Sequence, residues 1–241
     1  HQVSQSMNEK FLLLWLEAPL QSWGHDSKFG QRYSLDFPTK SGVLGIFCSA
    51  RGAGGQEIDW LKAWADTDMQ VVAYVATKAG MPVRRLPMLS DFHMVGSSYN
   101  SKDPWQSLFI PKKSDGSKAN KDGGTLTYRY YLQDMAFAVV MKAPEDMIDE
   151  VSSALKSPVW DLYLGRKSCA PTEFIFQGVF DSEAEAFQTG KEFASTKKRA
   201  ASFEVRQGEH EGEVLRINDI PIQFGEQKQY RDRLVTVIEA R

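Results

Sequence analysis

Two stretches of this chain are apolar at nearly every position, and they limit what it can fold into. Phe11–Leu16 reads FLLLWL and Met135–Met141 reads MAFAVVM. A strand with one wet face alternates apolar and polar residues. A run without alternation has to be buried on both faces or sit at the centre of a sheet. No apolar run is long enough to span a membrane, so no membrane partner is expected.

The other elements fall into order around these two runs. A polar loop carrying Gln21, Trp23, His25, Lys28, Arg32, Tyr33 and Lys40 follows the first strand, and a helix follows over about Ser41–Ala50, ended by Gly52, Gly54 and Gly55. Glu57–Ala65 reads as a short helix and Met69–Thr77 as a strand rich in β-branched residues. After the turn at Lys78-Ala79-Gly80, Met81–Leu89 is expected to run back as a hairpin arm, demoted to an edge by Pro82 and Pro87. Leu126–Leu132 is a strand that Gln133 and Asp134 should break before the second apolar run. Pro144 opens a helix to about Lys156, and a strand near Thr172–Phe180 completes the series. The order predicts an α+β fold, with a ferredoxin-like (RRM-like) β-α-β-β-α-β core over residues 7–180.

Three segments stand outside that core. His1–Ser6 (HQVSQS) precedes Met7 and is read as a tag remnant. Residues from about 92 to 127 are too long for an ordinary connection. They mix Lys102, Lys112, Lys113, Lys118 and Lys121 with Phe92, Tyr99, Trp105 and Phe109, and are read as an inserted arm. From 181 to 241 the pattern weakens to a helix near Glu183–Phe193 and short strands at 203–206, 214–219 and 234–238. Turns are expected at Asn218–Pro221 and Phe224–Gly225, giving a small β-rich accessory segment packed on the core.

Charge and composition exclude several functions. Lysine and arginine total 29 against 31 acidic residues, a net charge of -2, so any nucleic-acid contact has to come from a local patch. Cys48 and Cys169 have neither metal-ligand spacing nor a disulfide framework, which fits a reducing compartment such as the cytoplasm. His1, His25, His93 and His210 are scattered without an HxxxH or HExxH helix, so no zinc or other cofactor is expected. There is no Gly-x-Ser-x-Gly elbow, Walker loop or GxGxxG after a strand.

What remains is polar and aromatic. Pro38-Thr39-Lys40-Ser41-Gly42 starts the first helix, with a Thr39 or Ser41 cap, free N–H groups, a lysine and a glycine. That is either a phosphate cradle or simply a capped helix. Tyr128-Arg129-Tyr130-Tyr131 mixes rings with a guanidinium, suited to single-stranded RNA or to a strand burying one tyrosine face. Alternation puts Tyr128 and Tyr130 inside with Arg129 and Tyr131 outside, or the reverse. In Tyr163–Pro171 (YLGRKSCAP), Gly165 permits a tight turn, and Arg166, Lys167 and Ser168 either hold an anion or form a solvated turn.

These stretches, in this order, resemble the CasD family of type I-E CRISPR Cascade. The resemblance is carried by APLQSWG (Ala18–Gly24), FPTKSGVLG (Phe37–Gly45), YRYYLQDMAFAV (Tyr128–Val139), YLGRKSCAP and the closing IPIQFGEQKQYRDRLV (Ile220–Val235). It implies that the inserted arm is a β-hairpin thumb. It also implies a non-catalytic role: gripping the 5′ handle of crRNA, capping the Cascade backbone subunits and contacting the large PAM-reading subunit, with target DNA reached only within the assembled complex. Carried over residue by residue, handle binding falls on Gln21, Trp23, Thr39, Lys40, Ser41, Gly42, Arg129, Arg166, Lys167 and Ser168. The alternative is a metal-free endoribonuclease that processes precursor crRNA, as in the type I-C relative, with His93, Tyr33 and Lys40 as its expected residues.

Overall fold

The computed structural model describes residues 9–25, 30–95, 100, 102–105, 113, 115–117 and 125–240. The leading hexapeptide, Lys28 and most of the arm, including Lys112, Lys118, Lys121, Tyr99 and Phe109, lie outside the described residues, as does the hairpin form of the thumb. The fold is α+β, built on one large mixed sheet. Its strands are β1 (Lys10–Gln21), β2 (Trp23–His25), β3 (Gln31–Leu35), β4 (Met69–Lys78), β5 (Met81–Pro82), β6 (Leu89–Val95), β7 (Thr125–Ala143), β8 (Phe176–Phe180), β9 (Arg199–Gln207), β10 (Glu213–Gln223) and β11 (Gln229–Glu239). The helices are α1 (Lys40–Arg51), α2 (Ile58–Trp64), α3 (Ile148–Lys156) and α4 (Glu183–Thr196).

The sheet runs β10-β11-β9-β4-β7-β1-β8, with β7 extending past it to pair with β6 and, in parallel, with β3. The two apolar runs lie side by side at the centre, Leu12 opposite Met141 and Leu16 opposite Phe137. Both are buried on both faces, as their lack of alternation predicts. Leu12, Leu14, Leu16, Phe137, Val139 and Met141 share one core with α1, α2 and α3. Leu13, Trp15, Ala136, Ala138 and Val140 form a second core under α4. Small residues let α4 sit close: a Cβ at Gly190 would be 3.2 Å from that of Ala138.

Four expectations are corrected. The loop after the first strand is a short hairpin, β2 pairing β3 with Trp23 opposite Leu35, because QRYSL has the period-2 pattern of a strand. Asp134 does not break β7. It takes a left-handed φ of 47° without shifting the register with β1, and Arg199 holds it, donating to its carbonyl (3.0 Å) and carboxylate (2.8 Å). The arm over Met81–Leu89 runs back along β4 only over its first residues, Met81–Pro82 in the ladder and Val83 N–H to Ala76 O at 2.9 Å, and Leu89 already belongs to β6 against β7. Asn218–Pro221 is not a turn: it lies within β10, at register shifts that absorb Pro221.

The C-terminal segment packs on the core by continuing its sheet. β9 pairs with β4, Val71 opposite Val205, and β11 and β10 follow outward. No described helix is long and apolar enough to cross a membrane.

Candidate nucleic-acid interface

The start of α1 is built as a capped helix whose anion is already supplied. Thr39 is the N-cap, its hydroxyl accepting from the Gly42 N–H at 3.1 Å. The Lys40 N–H donates to the Asp219 carboxylate at 2.7 Å. That carboxylate is gripped by Arg233 through Nε (2.7 Å) and Nη2 (2.9 Å), and Arg233 also donates to Gln207. Helix N-termini attract carboxylates as readily as phosphates, and here one from β10 occupies the place.

Lys40 is therefore not where a phosphate-binding lysine should be. Its side chain is fully buried and its Nζ donates to the carbonyls of Ala65 and Thr67, beyond α2. Burial, helped by the Arg233 charge, lowers its pKa to about 8, against the pull of Asp219, Asp68 and Asp66. Gln21 is also buried. Its amide donates to Leu16 O (3.2 Å) and Met135 O (2.8 Å), and its carbonyl accepts from the Trp23 indole. Trp23 lies in the core under α1, so close that a Cβ at Gly42 would be 2.7 Å from its ring. Gln21, Trp23, Thr39 and Lys40 thus frame the site from within, while Ser41 and Gly42 reach its surface.

The loop after α3 meets this frame at Ser22. Gly165 has φ +90°, and a Cβ there would lie 1.6 Å from the Ser22 carbonyl oxygen, so only glycine fits. The turn is closed by Leu164 N–H to Cys169 O and Cys169 N–H to Arg166 O, both 2.8 Å. It projects Arg166 back over the sheet: Nε donates to Ser22 Oγ at 3.1 Å, Nη2 to Arg32 O at 3.4 Å, and the guanidinium lies 5.5 Å from the centre of Tyr131. Lys167 and Ser168 are exposed on the same turn.

On β7, Thr127, Arg129 and Tyr131 share one face, and Arg32 of β3 sits beside Arg129 on it. Tyr131 is the buried tyrosine and Tyr128 the exposed one, so the reverse of the two alternations holds. Arg32, Arg129 and Arg166 form a cluster with no ion pair among the described residues, although Asp91 opposes Arg129 in the register. Burial first, then the Arg129 and Arg32 charges, push the Arg166 pKa below the usual guanidinium range, against Tyr131 and Cys169. Such a cluster is a ready site for an anion. The opposite face carries Tyr33 stacked on Tyr130 (5.1 Å, 12°) and Phe92 against Tyr128 (5.3 Å). His93 lies on the arginine face, opposite Thr127, and Tyr33 on the other. With Lys40 buried, the three residues expected of an endoribonuclease do not converge.

Beside the arginines runs a cleft of about 570 Å³, between α1, the 162–165 turn and the tip of the β10–β11 hairpin. Ser41, Gly42, Gly45 and Ser49 of α1 form one wall, with Tyr163, Phe224, Lys228 and Tyr230 around it. The tip is fastened to the α1–α2 connection by Phe224 N–H to Gln56 O, 2.9 Å. Cys48 also lines the cleft, and burial raises its thiol to about 11, so it stays protonated. No cluster of metal-ligating side chains occurs among the described residues. Sequence reasoning left Arg32, Lys228 and Tyr230 out of the site. Arg32 had a signal in the alternation of QRYSL, whereas Lys228 and Tyr230 are brought here by long-range contacts, the pairing of β9 to β4 and the fastening of the hairpin to Lys40 and Gln56.

Known proteins share this fold. The family model described as CRISPR-associated protein (Cas_Cas5) matches residues 11–236. The CRISPR system Cascade subunit CasD of Escherichia coli (strain K12) is 28% identical over 174 residues, 70% of each chain. A chain of a solved CRISPR RNA-guided surveillance complex superposes with a TM-score of 0.68 at 25% identity, covering 95% of this chain and 90% of that one. A further solved Cas protein has the same fold, with a TM-score of 0.57 at 23% identity over 95% and 94% of the two chains. The chain is thus of the kind found in CRISPR complexes. It belongs to the Cas5 family of CRISPR-associated proteins, and the resemblance to CasD read from its motifs holds.

Proposed function

We propose that this protein is the non-catalytic subunit of a cytoplasmic CRISPR Cascade complex that holds the 5′ handle of crRNA. In this reading it caps the backbone subunits and contacts the large subunit. The strand order β4-β7-β1-β8, all antiparallel with α1 and α3 on one face, is read as the ferredoxin-like core that presents the RNA-binding edge. The observation that carries the proposal is the cluster of Arg32, Arg129 and Arg166, positive and without an ion pair among the described residues, beside exposed Lys167 and Ser168. Guanidiniums pair with phosphate oxygens in two-point geometry, and single-stranded RNA supplies a run of them. Guide complexes delegate sequence reading to base pairing, so protein contacts fall on backbone and shape. The separation of Tyr33, His93 and Lys40 supports a holding role over a cutting one.

The test is an end-labelled repeat-spacer RNA incubated with the purified chain in EDTA, then run on native and denaturing gels. A shifted, intact RNA is expected. A specific cut within the repeat would make the protein a metal-free nuclease instead.

A further inference from the structure

The cleft beside the arginines has a use that the handle-binding reading does not assign. We propose that it is a pocket for one unstacked nucleotide of the bound RNA, with the tip of the C-terminal β10–β11 hairpin as its far wall. The inference rests on the RNA reading above and adds a residue-level subsite to it.

Continuity is the first argument. Ser22 and Gly165 line the cleft, and Arg166, next along the chain from Gly165, donates to Ser22 Oγ at 3.1 Å. A phosphate held at the arginines leaves its attached base at the mouth of the cleft. Size is the second: about 570 Å³ falls in the range of small-ligand sites. Chemistry is the third. Lys228 is the one charged residue in the lining, which contains no carboxylate to repel a nucleotide. Tyr163, Tyr230 and Phe224 offer rings, and Ser41 and Ser49 offer hydroxyls. Aromatic surfaces bind unpaired bases without sequence preference, and hydroxyls read their edges. The floor is kept free of side chains at two points: nothing lies within 4 Å of where a Cβ would stand at Gly24 or Gly45. Tyr230, whose pKa burial raises further above the ordinary phenol value, offers a neutral hydroxyl as a hydrogen-bond donor.

Gly45 gives the cleanest test. Gly45→Phe directs a ring into the cleft from a helical position whose Cβ meets nothing. Lys228→Glu, on the exposed hairpin tip, is the second variant and leaves the core untouched. The probe is a fluorescent single-stranded RNA with the repeat-derived 5′ sequence of the guide, plus a series in which each nucleotide in turn is abasic. Binding is followed by anisotropy, with thermal melts to show that each variant is folded.

The expected result is one abasic position that weakens wild-type binding about tenfold, the scale of one lost base stack. That position should become silent in Gly45→Phe, and Lys228→Glu should weaken the intact RNA. Wild-type affinity in both variants, with Arg166→Ala still weakened, would overturn the pocket and leave the handle reading standing. Intact RNA binding with lost assembly onto protein subunits would give the cleft to a protein partner and equally overturn it. Absence of RNA binding by the wild-type chain would overturn both.

Discussion

Lys40 and Asp219 carry charge into the interior to join segments that are far apart in the chain. Asp219 caps α1 while pairing with Arg233, and both side chains are nearly inaccessible. Removing one partner of a buried pair strands the other charge, at a cost of about 3–5 kcal/mol. Asp219→Ala should therefore lower unfolding free energy by roughly that amount in urea melts. A loss below about 1 kcal/mol would mean that water reaches Arg233. Lys40 makes a pH prediction. Its pKa is lowered from 10.5 to about 8, so between those values the unfolded chain holds the proton that the folded chain has released, and stability rises with pH. Cys48, raised from 9.0 to about 11, acts in the opposite sense: its contribution is present below 9 and is lost as pH climbs towards 11. Tyr74, raised from 10.0 to about 12, does the same over a higher window. Lys40 thus dominates from pH 8 to 9, where stability should rise by roughly 1 kcal/mol. The rise should be absent in Lys40→Met, and urea melts at the two pH values measure it. The sequence showed a capped helix start at Thr39–Gly42 but not which anion it holds, because Asp219 lies 179 residues from Lys40.

Among the elements, α1 serves two surfaces. Its apolar face, with Val43, Leu44 and Phe47, lies on the central strands, while Ser41, Gly42, Gly45 and Ser49 face the cleft. Two of these glycines have different reasons to be small. Gly42 makes room for the Trp23 ring, whereas Gly45 has open space. Gly45→Ala should raise stability by about 0.5–1 kcal/mol through reduced backbone freedom in the unfolded chain. Thermal melts read this directly, and destabilisation would show that the open space is filled. The central strands were legible because FLLLWL and MAFAVVM do not alternate. The continuity of β7 was not. Asp134 looks like a breaker in sequence, and it is Arg199 from β9 that holds its left-handed backbone in the strand.

At the scale of the molecule, core and C-terminal segment share one sheet and are expected to unfold together. The β4–β9 ladder, the Arg199 contacts to Asp134 and Glu17, and the Asp219 cap all cross between them. A chain ending at residue 180 should lose its cooperative transition in urea, since it exposes β4 and uncaps α1. A sharp two-state melt of that fragment would show that the C-terminal strands are dispensable. The same tertiary closure makes the interface: the arginines come from β3, β7 and the turn after α3, and the cleft is closed by the β10–β11 tip. Sequence motifs found Arg129, Arg166, Lys167 and Ser168 one by one. Their grouping, with Arg32 added and Lys40 removed, is a property of the sheet. The most direct test of that grouping is the salt dependence of affinity for the handle RNA, wild type against Arg32→Ala/Arg129→Ala/Arg166→Ala. Three lost phosphate contacts should make the log–log slope shallower by about 2 and weaken binding at every salt concentration. An unchanged slope and affinity would contradict the assignment of this arginine cluster to RNA.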